Sequence, residues 1–376
     1  MILGVAVAGS IIDAAFYMLL LLSSSAAGVG WFVTAVIVAN LIPPILLAPV
    51  LGWLVDRTSG RWVWSLGLFL SALACVVIAT SETVAVLVGM AALQALASVA
   101  VSSSVFKLLP DAKGMSTNSA SSFAVGTHSL ASICGPPLAA LGASTLTTDG
   151  TFAVLAILGA LATAGAIGAA PRRRHAKVES TNWREAWLGA KSVGSMASIR
   201  IFAPVVLGIV LVTSMEGVAG VFWLQEVTQS SVGYGLILAV WAVGSFLGAV
   251  WTGRRDQPLG TRRSVILGGA LMSGALLIEG LVPIAVIIGS VYVVGGFGNA
   301  VHNVGVRQLV YSRVPRHQHA QAWSMLAATM SATAAIGNAL GTPGLIGEAR
   351  TIVIISGIGG VLFVLISAAL IMKREH

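Results

Sequence analysis

Charged residues are scarce in this sequence. Only 9% of its 376 residues are Asp, Glu, Lys or Arg, whereas 57% are hydrophobic. A soluble globular domain usually has about 25% charged residues. So few charges cannot cover a water-exposed surface, which excludes a soluble protein. The composition instead indicates a chain that lies mostly within a lipid bilayer, where each spanning helix needs roughly 20 apolar residues.

Cysteines and catalytic motifs are also lacking. The two cysteines, Cys75 and Cys134, fall within apolar segments, and we interpret them as small core residues without a disulfide. The sequence contains no Walker A loop and no His-Glu-x-x-His, Cys-x-x-Cys or Gly-x-Ser-x-Gly motif. It therefore predicts no cofactor and no metal site, and it argues against an enzyme.

The charges that are present are sorted among the gaps between twelve apolar segments. Of 21 Lys and Arg residues, 20 lie in the even-numbered loops or the C-terminal tail, and only Arg350 lies in an odd-numbered loop. Cytoplasmic loops retain Lys and Arg, so the pattern predicts an all-α membrane protein with twelve spans and cytoplasmic termini. The odd-numbered loops hold mostly acids: Glu82, Asp149, Glu226, Glu279 and Glu348. The predicted spans are 3–22, 30–51, 62–80, 84–106, 119–143, 151–170, 203–224, 233–252, 264–280, 284–306, 320–342 and 351–372.

The net charge of +8 does not predict binding to nucleic acid, because the basic residues lie at helix ends. At these positions they anchor the protein and face anionic lipid head groups. The longest basic segment is the linker 171–200, which we expect to carry a helix at the membrane interface. Trp183 and Trp187 lie one turn apart in it and would meet at the level of the head groups.

The two halves of the chain resemble each other. Asp13 in span one corresponds to Glu216 in span seven, at an offset of 203 residues, and Pro110 after span four corresponds to Pro315 after span ten. Repeated six-helix halves of the same orientation are a transporter architecture. We therefore predict an N-terminal six-helix bundle, the basic linker and a C-terminal six-helix bundle. Their predicted ranges are 1–170, 171–200 and 201–376.

Residues 52–61 (GWLVDRTSGR) resemble motif A of the major facilitator superfamily, which lies between spans two and three. The Gly-x-Leu-x-Asp-Arg core matches, and one extra residue separates Arg57 from Gly60. A form of the motif that ends Asp-Arg-x-x-Arg-Arg fits without a gap, except that Gly60 replaces an Arg. That form is found in the enterobactin-exporter-like and macrolide-efflux-like branch. Residues 299–315 and 108–110 resemble the same branch.

The resemblance implies a major facilitator fold, with two pseudo-symmetric six-helix bundles and a cavity lined by spans one, four, seven and ten. It also implies a monomer in the bacterial plasma (inner) membrane. Motif A in this superfamily acts as a latch on the cytoplasmic side, so we expect it to bias the inward–outward equilibrium rather than contact substrate. The alternative is a solvated turn whose arginines follow the positive-inside rule. The residues of this predicted cytoplasmic gate are Gly52, Asp56, Arg57 and Arg61.

Gly135 and Pro136 in span five resemble the end of the superfamily's antiporter motif, although the glycine pair that should follow is replaced by Ala139 and Ala140. Small residues allow helices to approach closely, and a proline removes one backbone hydrogen bond. Two interpretations remain open here, a structural kink and an exporter signature.

Asp13 and Glu216 are the most informative residues within the spans. A carboxylate at the centre of a spanning helix costs about 2.5–3.5 kcal/mol on insertion scales, so such residues normally face a cavity or a partner. A carboxyl group that is exposed alternately to the two sides can load and release a proton, and each charge that crosses the membrane yields about 2.3 kcal/mol per 100 mV. We therefore predict that these acids couple protons or bind substrate. The alternative is a neutral acid hydrogen-bonded to a neighbouring helix.

Other polar side chains share helical faces on spans one, four, seven and ten. Each could line the cavity, or could be an interhelical hydrogen bond worth only about 0.6 kcal/mol. A lone histidine in a span is more often a packing residue than a proton carrier, and an arginine deep in span ten could contact an anion. The candidates for cavity lining are Tyr17, Gln94, Ser98, Trp223, Asn299, His302, Asn303 and Arg307.

The sequence thus favours a secondary transporter that works by alternating access. Its expected partners are a small-molecule substrate, protons and membrane lipid, with no nucleic acid. The resemblance implies proton-coupled export of a hydrophobic or cationic molecule such as a drug, antibiotic or siderophore. Proton-coupled nutrient uptake remains an alternative. A non-transporting receptor or assembly partner on the same fold is a third possibility, which the two intramembrane acids oppose.

Overall fold

The computed structural model is helical throughout its regular elements, and the residues that it describes contain no strand. The predicted linker 171–200, with Trp183 and Trp187, lies outside the described residues. The described ranges are 2–26, 30–58, 60–81, 83–111, 115–169, 201–229, 231–255 and 259–372.

Eleven α-helices follow one another along the described chain, and two short 3₁₀ turns lie between them. The 3₁₀ turns are Leu109–Asp111 and Arg316–Gln318. The helices are α1 Ile2–Ala26, α2 Gly30–Arg57, α3 Arg61–Thr80, α4 Val84–Leu108, α5 Thr117–Ala169, α6 Ala203–Thr228, α7 Ser231–Gly253, α8 Thr261–Leu281, α9 Ala285–Arg313, α10 His319–Leu340 and α11 Ala349–Met372.

Ten of the described helices are long and apolar enough to cross a membrane. Only α10 falls short, because Ser, Thr, Asn and Gln interrupt its apolar sequence, although its 22 residues are long enough to span. The apolar part of α5 runs for 52 residues, which is enough for two spans. The protein is therefore a multi-pass membrane protein of the predicted all-α class.

The helix α5 is broken at Thr147, whose φ of 69° and ψ of 166° are not helical. The Thr147 hydroxyl accepts a hydrogen bond from the backbone N–H of Gly150 at 3.3 Å, as a residue capping a helix N-terminus does. The second arm of α5 therefore begins at this threonine. Counting the two arms separately gives eleven candidate spans in the described chain, and α10 brings the number of long helices to twelve, the number of spans that the sequence predicts.

The apolar side chains of helix α3 fall into a buried group and an exposed group. Trp64 and Cys75 are completely buried, whereas Leu66, Phe69 and Val76 are each about half exposed although they are just as apolar. A helix that is apolar on all sides and exposes one side is a membrane-spanning helix, because lipid solvates the exposed side chains.

The described residues form two compact units. The first unit takes its described residues from within Met1–Met115, Leu130–Lys191 and Val314–Ala328, and the second takes its described residues from within Ser116–Ser129, Ser192–Arg313 and Thr329–His376. Each unit combines segments from both halves of the chain. Ser116–Ser129, from the first half, packs within the second unit, and Val314–Ala328, from the second half, packs within the first.

Small residues bring the helices together inside each unit. In the first unit, a Cβ added to Gly135 would lie 2.6 Å from Cβ of Ala14, so α5 and α1 touch at this glycine. In the second unit, a Cβ added to Gly248 would lie 2.6 Å from the carbonyl oxygen of Phe297, so α7 lies directly against α9. Close backbone contact of this kind is how helices associate in lipid.

Two features differ from the sequence analysis. The motif A run is expected to follow span two, but α2 continues to Arg57 and includes most of it. The assignment of Glu279 to an odd-numbered loop is wrong, because this residue lies in the last turn of α8 and its side chain is completely buried. Glu226 likewise belongs to the end of a helix, α6, but its side chain is exposed.

Candidate functional site

The second unit contains a cavity of about 270 Å³ between α6, α7, α8 and α9. Its wall combines one carboxylic acid with three aromatic rings and several aliphatic side chains. None of the described residues that line it is basic. The lining residues are Thr213, Glu216, Gly217, Val221, Tyr234, Leu238, Trp241, Met272, Tyr292 and Asn299.

Among the described lining residues Glu216 is the only acid, and it lies in the middle of α6. The hydroxyl of Tyr292, on α9, donates a hydrogen bond of 2.9 Å to Glu216 Oε1. The Tyr292 ring in turn packs edge-on against Trp241 of α7, with 5.3 Å between ring centroids. One tyrosine therefore holds the acid and also builds the aromatic wall beside it.

A second acid, Glu279 of α8, lies behind the cavity wall. Its side chain is 0% exposed, and the hydroxyl of Tyr292, which donates to Glu216, also lies beside its carboxyl group. Its backbone carbonyl accepts a hydrogen bond of 3.1 Å from the indole Nε1 of Trp223. The guanidinium of Arg350 lies over the Trp223 ring at 5.2 Å and donates to the carbonyl oxygen of Gly280 at 3.0 Å.

The first unit holds its intramembrane acid differently. Asp13, on α1, accepts a hydrogen bond of 2.5 Å from Gln94 Nε2 and another of 3.0 Å from Ser98 Oγ, both on α4. The structure thus brings together one acid and two polar residues that the sequence places on spans one and four. Two donors at one carboxylate compensate part of the cost of burying its charge.

The corresponding polar pair of the second unit does not contact an acid in the same way. Asn303 Nδ2 donates 2.8 Å to Asn299 Oδ1, and Asn299 Nδ2 donates 3.4 Å to Ser245 Oγ on α7. Asn299 also lines the cavity. Residues 299 and 303 follow Gln94 and Ser98 by the repeat offset of 205, so equivalent positions of the two halves have different partners.

Asp56 binds the N-terminus of α10 within the first unit. Its two carboxylate oxygens accept hydrogen bonds from the backbone N–H groups of Ala320, at 3.1 Å, and Gln321, at 2.7 Å. Unpaired N–H groups and the helix dipole make a helix N-terminus favourable for a carboxylate. Lys107 of α4 lies 3.8 Å from Asp56 and donates 2.6 Å to the carbonyl oxygen of Val55, so it also caps the end of α2.

We call this arrangement of Asp56, Lys107 and the first turn of α10 the α2–α10 contact. Gly52 lies one turn before Asp56 and makes the contact possible. A Cβ on residue 52 would lie 2.6 Å from the carbonyl oxygen of Ala320, closer than real Cβ atoms approach. Arg57 and Arg61 stack their guanidinium groups over neighbouring tryptophan rings, at 5.3 and 5.5 Å.

The remaining predicted site residues lie away from the cavity wall. Tyr17 is 37% exposed on α1. His302 is buried, with Nδ1 at 3.1 Å from the carbonyl oxygen of Val265 on α8, as a packing histidine would be. Arg307 is partly buried on α9. Pro136 lies inside α5, which continues through it.

Sequence reasoning missed several residues of these sites. Tyr292, Tyr234 and Trp241 lie in apolar segments, where aromatic residues are unremarkable by pattern alone. Glu279 lies one residue before the end of the predicted span 264–280, so its position in the sequence resembles that of a loop acid. The sequence places Lys107 in a basic loop, and nothing in the sequence pairs it with Asp56.

The helical architecture and the buried acids together define a multi-pass membrane protein with polar sites inside its helix bundles. The model of the Major Facilitator Superfamily matches residues 1–254. The chain therefore belongs to the Major Facilitator Superfamily, a family of transporters.

Solved structures support the same fold. The crystal structure of the human organic anion transporter MFSD10 (TETRAN) has a TM-score of 0.81 at 19% identity, over 97% of this chain and 98% of that one. A bacterial homologue of the iron transporter ferroportin, in an outward-facing state, has a TM-score of 0.75 at 16% identity, over 98% of this chain and 99% of that one. No curated protein sequence matches the chain significantly.

Proposed function

We propose that the protein exports a hydrophobic cation in exchange for protons, by alternating access, across the plasma membrane of a bacterium. It acts as a monomer with both termini in the cytoplasm. Its resemblance to the enterobactin-exporter-like and macrolide-efflux-like branch supports export. The sorting of Lys and Arg between loops supports the orientation.

The observation that carries the substrate class is the wall of the cavity in the second unit. Glu216 offers a negative charge, and Tyr234, Trp241 and Tyr292 offer aromatic faces, which attract cations. Aliphatic residues such as Leu238 and Met272 complete the wall and suit an apolar body. Sites for small molecules are typically apolar with a few placed polar groups.

The human neighbour is an organic anion transporter. In this chain, an anion would meet the carboxylate of Glu216 in the cavity, without a basic residue among the described lining. Arg307, the sequence-based candidate for contact with an anion, is not part of the wall. The cavity therefore favours cations over anions as substrates of this chain.

Glu216 and Asp13 take different roles in this proposal. Glu216 lines the cavity and binds either a proton or the cation, which makes the two compete. Asp13 is held by Gln94 and Ser98 in the first unit and binds a coupling proton. The energy for export comes from protons that enter, about 2.3 kcal/mol per charge at 100 mV.

Accumulation of a fluorescent lipophilic cation in cells that lack their own efflux pumps tests this function. We expect cells with the wild-type protein to accumulate less dye, and a protonophore to abolish the difference. Asp13→Asn and Glu216→Gln should both accumulate dye like cells without the protein, because each loses a proton-binding group.

Glu226→Gln is the matched control, since it is the same substitution on α6 at an exposed position. It should export like the wild type. Higher accumulation in cells with the wild-type protein, reproduced in energised vesicles of either orientation, would replace export with proton-coupled uptake. Equal accumulation with and without the protein, for several dyes, would contradict transport of lipophilic cations.

A further inference from the structure

Glu279 is a buried acid that the proposed function has not used. Its side chain is completely shielded from solvent, and the Tyr292 hydroxyl beside its carboxyl group donates its hydrogen bond to Glu216 instead. An isolated ionised carboxylate in such a place is very costly, so the group must gain a proton or a compensating charge. The position of Glu279 therefore calls for a ligand.

Glu279 and Glu216 face the same small space beside Gly220. A Cβ added to Gly220 would lie 3.6 Å from Glu279 Oε1 and would also meet Glu216 Oε1. Because residue 220 has no side chain, the two carboxyl groups can approach each other there. The hydroxyl of Tyr292 lies beside both groups and donates its hydrogen bond to Glu216.

The other titratable or charged groups around this pair come from three further helices. Tyr292 comes from α9, Tyr234 of α7 lies near Glu216, and Arg350 of α11 binds the carbonyl oxygens of Gly280 and Leu281 at the end of α8. No third His, Cys, Asp or Glu joins the pair in the described part of the chain. A divalent metal would therefore lack ligands, and a proton suits two carboxyl groups and a tyrosine.

We propose that Glu216 and Glu279 form one protonatable unit that holds two protons when the cavity is empty and one when a cation occupies it. This inference rests on the proposed function. When the cation arrives, the O–H bond of the Glu216 carboxyl breaks and its proton leaves through the cavity. The cation then neutralises the Glu216 carboxylate. The other proton stays in the O–H bond of Glu279, so the site exchanges one proton for one positive charge.

The pairing has a measurable consequence for the pH range of binding. Two carboxyl groups that share a proton keep one negative charge down to a lower pH than a lone carboxyl group does, as the aspartic protease pair shows. Glu279 thus acts as a positioning residue. It lets Glu216 accept a cation at acidic pH, although Glu279 itself lies behind the wall and does not contact the substrate.

Infrared pH titration of the purified protein without substrate tests the pair independently of transport. Protonated carboxyl groups have a distinct carbonyl stretch, and the bands that are lost in Glu216→Gln and in Glu279→Gln should titrate in two coupled steps in the wild type. In Glu279→Gln the step that remains should move in both frequency and midpoint, and in Glu216→Gln the same should happen to Glu279. If Glu279→Gln leaves the signal of Glu216 at its wild-type frequency and midpoint, the two groups do not share a proton.

Binding of tetraphenylphosphonium, measured by equilibrium dialysis against pH, supplies the second readout. We expect Glu279→Gln to bind the probe with wild-type affinity at alkaline pH. As the pH falls, the variant should lose probe binding at a pH about one unit higher than the wild type does. Glu279→Asp keeps a carboxyl group and should retain most of the wild-type profile. Identical profiles for wild type and Glu279→Gln would overturn the proposal.

Glu226→Gln should leave the probe binding and the infrared bands of Glu216 and Glu279 as they are in the wild type. The two experiments also separate this inference from the proposed function. If the wild type fails to bind the probe at every pH, the proposed cationic substrate is wrong, whereas the infrared titration still decides whether Glu216 and Glu279 share a proton.

Discussion

At the scale of single residues, Tyr292 links the two properties of the cavity, its charge and its aromatic wall. Its hydroxyl holds Glu216 at 2.9 Å, and its ring packs against Trp241. A hydrogen bond to a charged group contributes about 1.5–3 kcal/mol. The hydroxyl therefore fixes the orientation of the Glu216 carboxylate, whereas the ring forms part of the aromatic wall whether or not the hydroxyl is present.

Replacing Tyr292 with Phe should separate these two contributions. We expect roughly tenfold weaker binding of tetraphenylphosphonium, which corresponds to the loss of about 1.4 kcal/mol, because the Glu216 carboxylate loses its donor while the wall stays intact. Equilibrium dialysis measures the effect. Tyr311→Phe, at the other end of α9, is the control. Unchanged affinity in Tyr292→Phe would mean that the hydrogen bond does not position Glu216 for the cation.

The site residues that the sequence reveals are those with a high free-energy cost of insertion into the membrane. Asp13 and Glu216 stand out because each interrupts an apolar segment, and the structure gives both of them partners. Tyr292 gives no such signal, since an aromatic residue is common in an apolar helix and does not interrupt it. The one available signal was rarity, because the chain has only 4 tyrosines and two of them line the cavity. Glu279 lacks the signal of an interrupted segment, because it lies one residue before the end of the predicted span 264–280, where an acid resembles the start of the next loop.

At the scale of helices, the α2–α10 contact depends on one missing side chain and one carboxylate. Gly52 lets the backbone of α10 approach, and Asp56 binds two of its first N–H groups. The sequence predicts a latch at motif A from resemblance alone. The hydrogen bonds of Asp56 could not be predicted, because nothing in the sequence pairs residue 56 with residues 320 and 321, some 260 positions away.

Both Gly52→Ala and Asp56→Asn should weaken this contact. The methyl group that Gly52→Ala adds would clash with the backbone of α10, and Asn has one acceptor instead of two and no charge for the helix dipole. Ser324 lies buried against Ser103 at this contact. A thiol introduced by Ser324→Cys, in a chain without Cys75 and Cys134, should then react roughly fivefold faster with a water-soluble maleimide, which corresponds to about 1 kcal/mol.

Asp149→Asn makes the same chemical change at an exposed position and should leave the labelling rate unaltered. If the rate in Asp56→Asn equals that of the parent, the contact does not control access to Ser324, and the predicted role of motif A as a gate fails.

The break in α5 is shorter than the sequence predicts. Sequence analysis placed a loop at 144–150, but Thr147 reduces it to a single non-helical residue through its own hydroxyl.

At the scale of the whole molecule, the two acids lie in separate units with different surroundings. Asp13 belongs to the first unit and has no part in the described cavity, whereas Glu216 belongs to the second unit and lines it. If each does one task, a variant that loses proton coupling need not lose substrate binding. Net export and substrate exchange should therefore respond differently to the two substitutions.

We expect Asp13→Asn to abolish proton-driven export but to retain exchange of labelled for unlabelled tetraphenylphosphonium across proteoliposomes, because exchange needs no net proton movement. Glu216→Gln should abolish both, because the cation loses its counter-charge. Uptake of labelled cation into preloaded vesicles measures exchange, and a pH gradient drives the export assay. Loss of exchange in Asp13→Asn would assign substrate binding to Asp13 as well.

The wall of the cavity also carries its own optical reporter. The indole of Trp241 borders the space where the cation would lie, with its ring centroid 5.3 Å from that of Tyr292. Indole emission shifts with the polarity of its surroundings, and a cation beside the ring displaces water from it. In a variant that keeps Trp241 and has phenylalanine at the other tryptophan positions, the emission wavelength would therefore report cation binding in the cavity, in real time and without any attached dye.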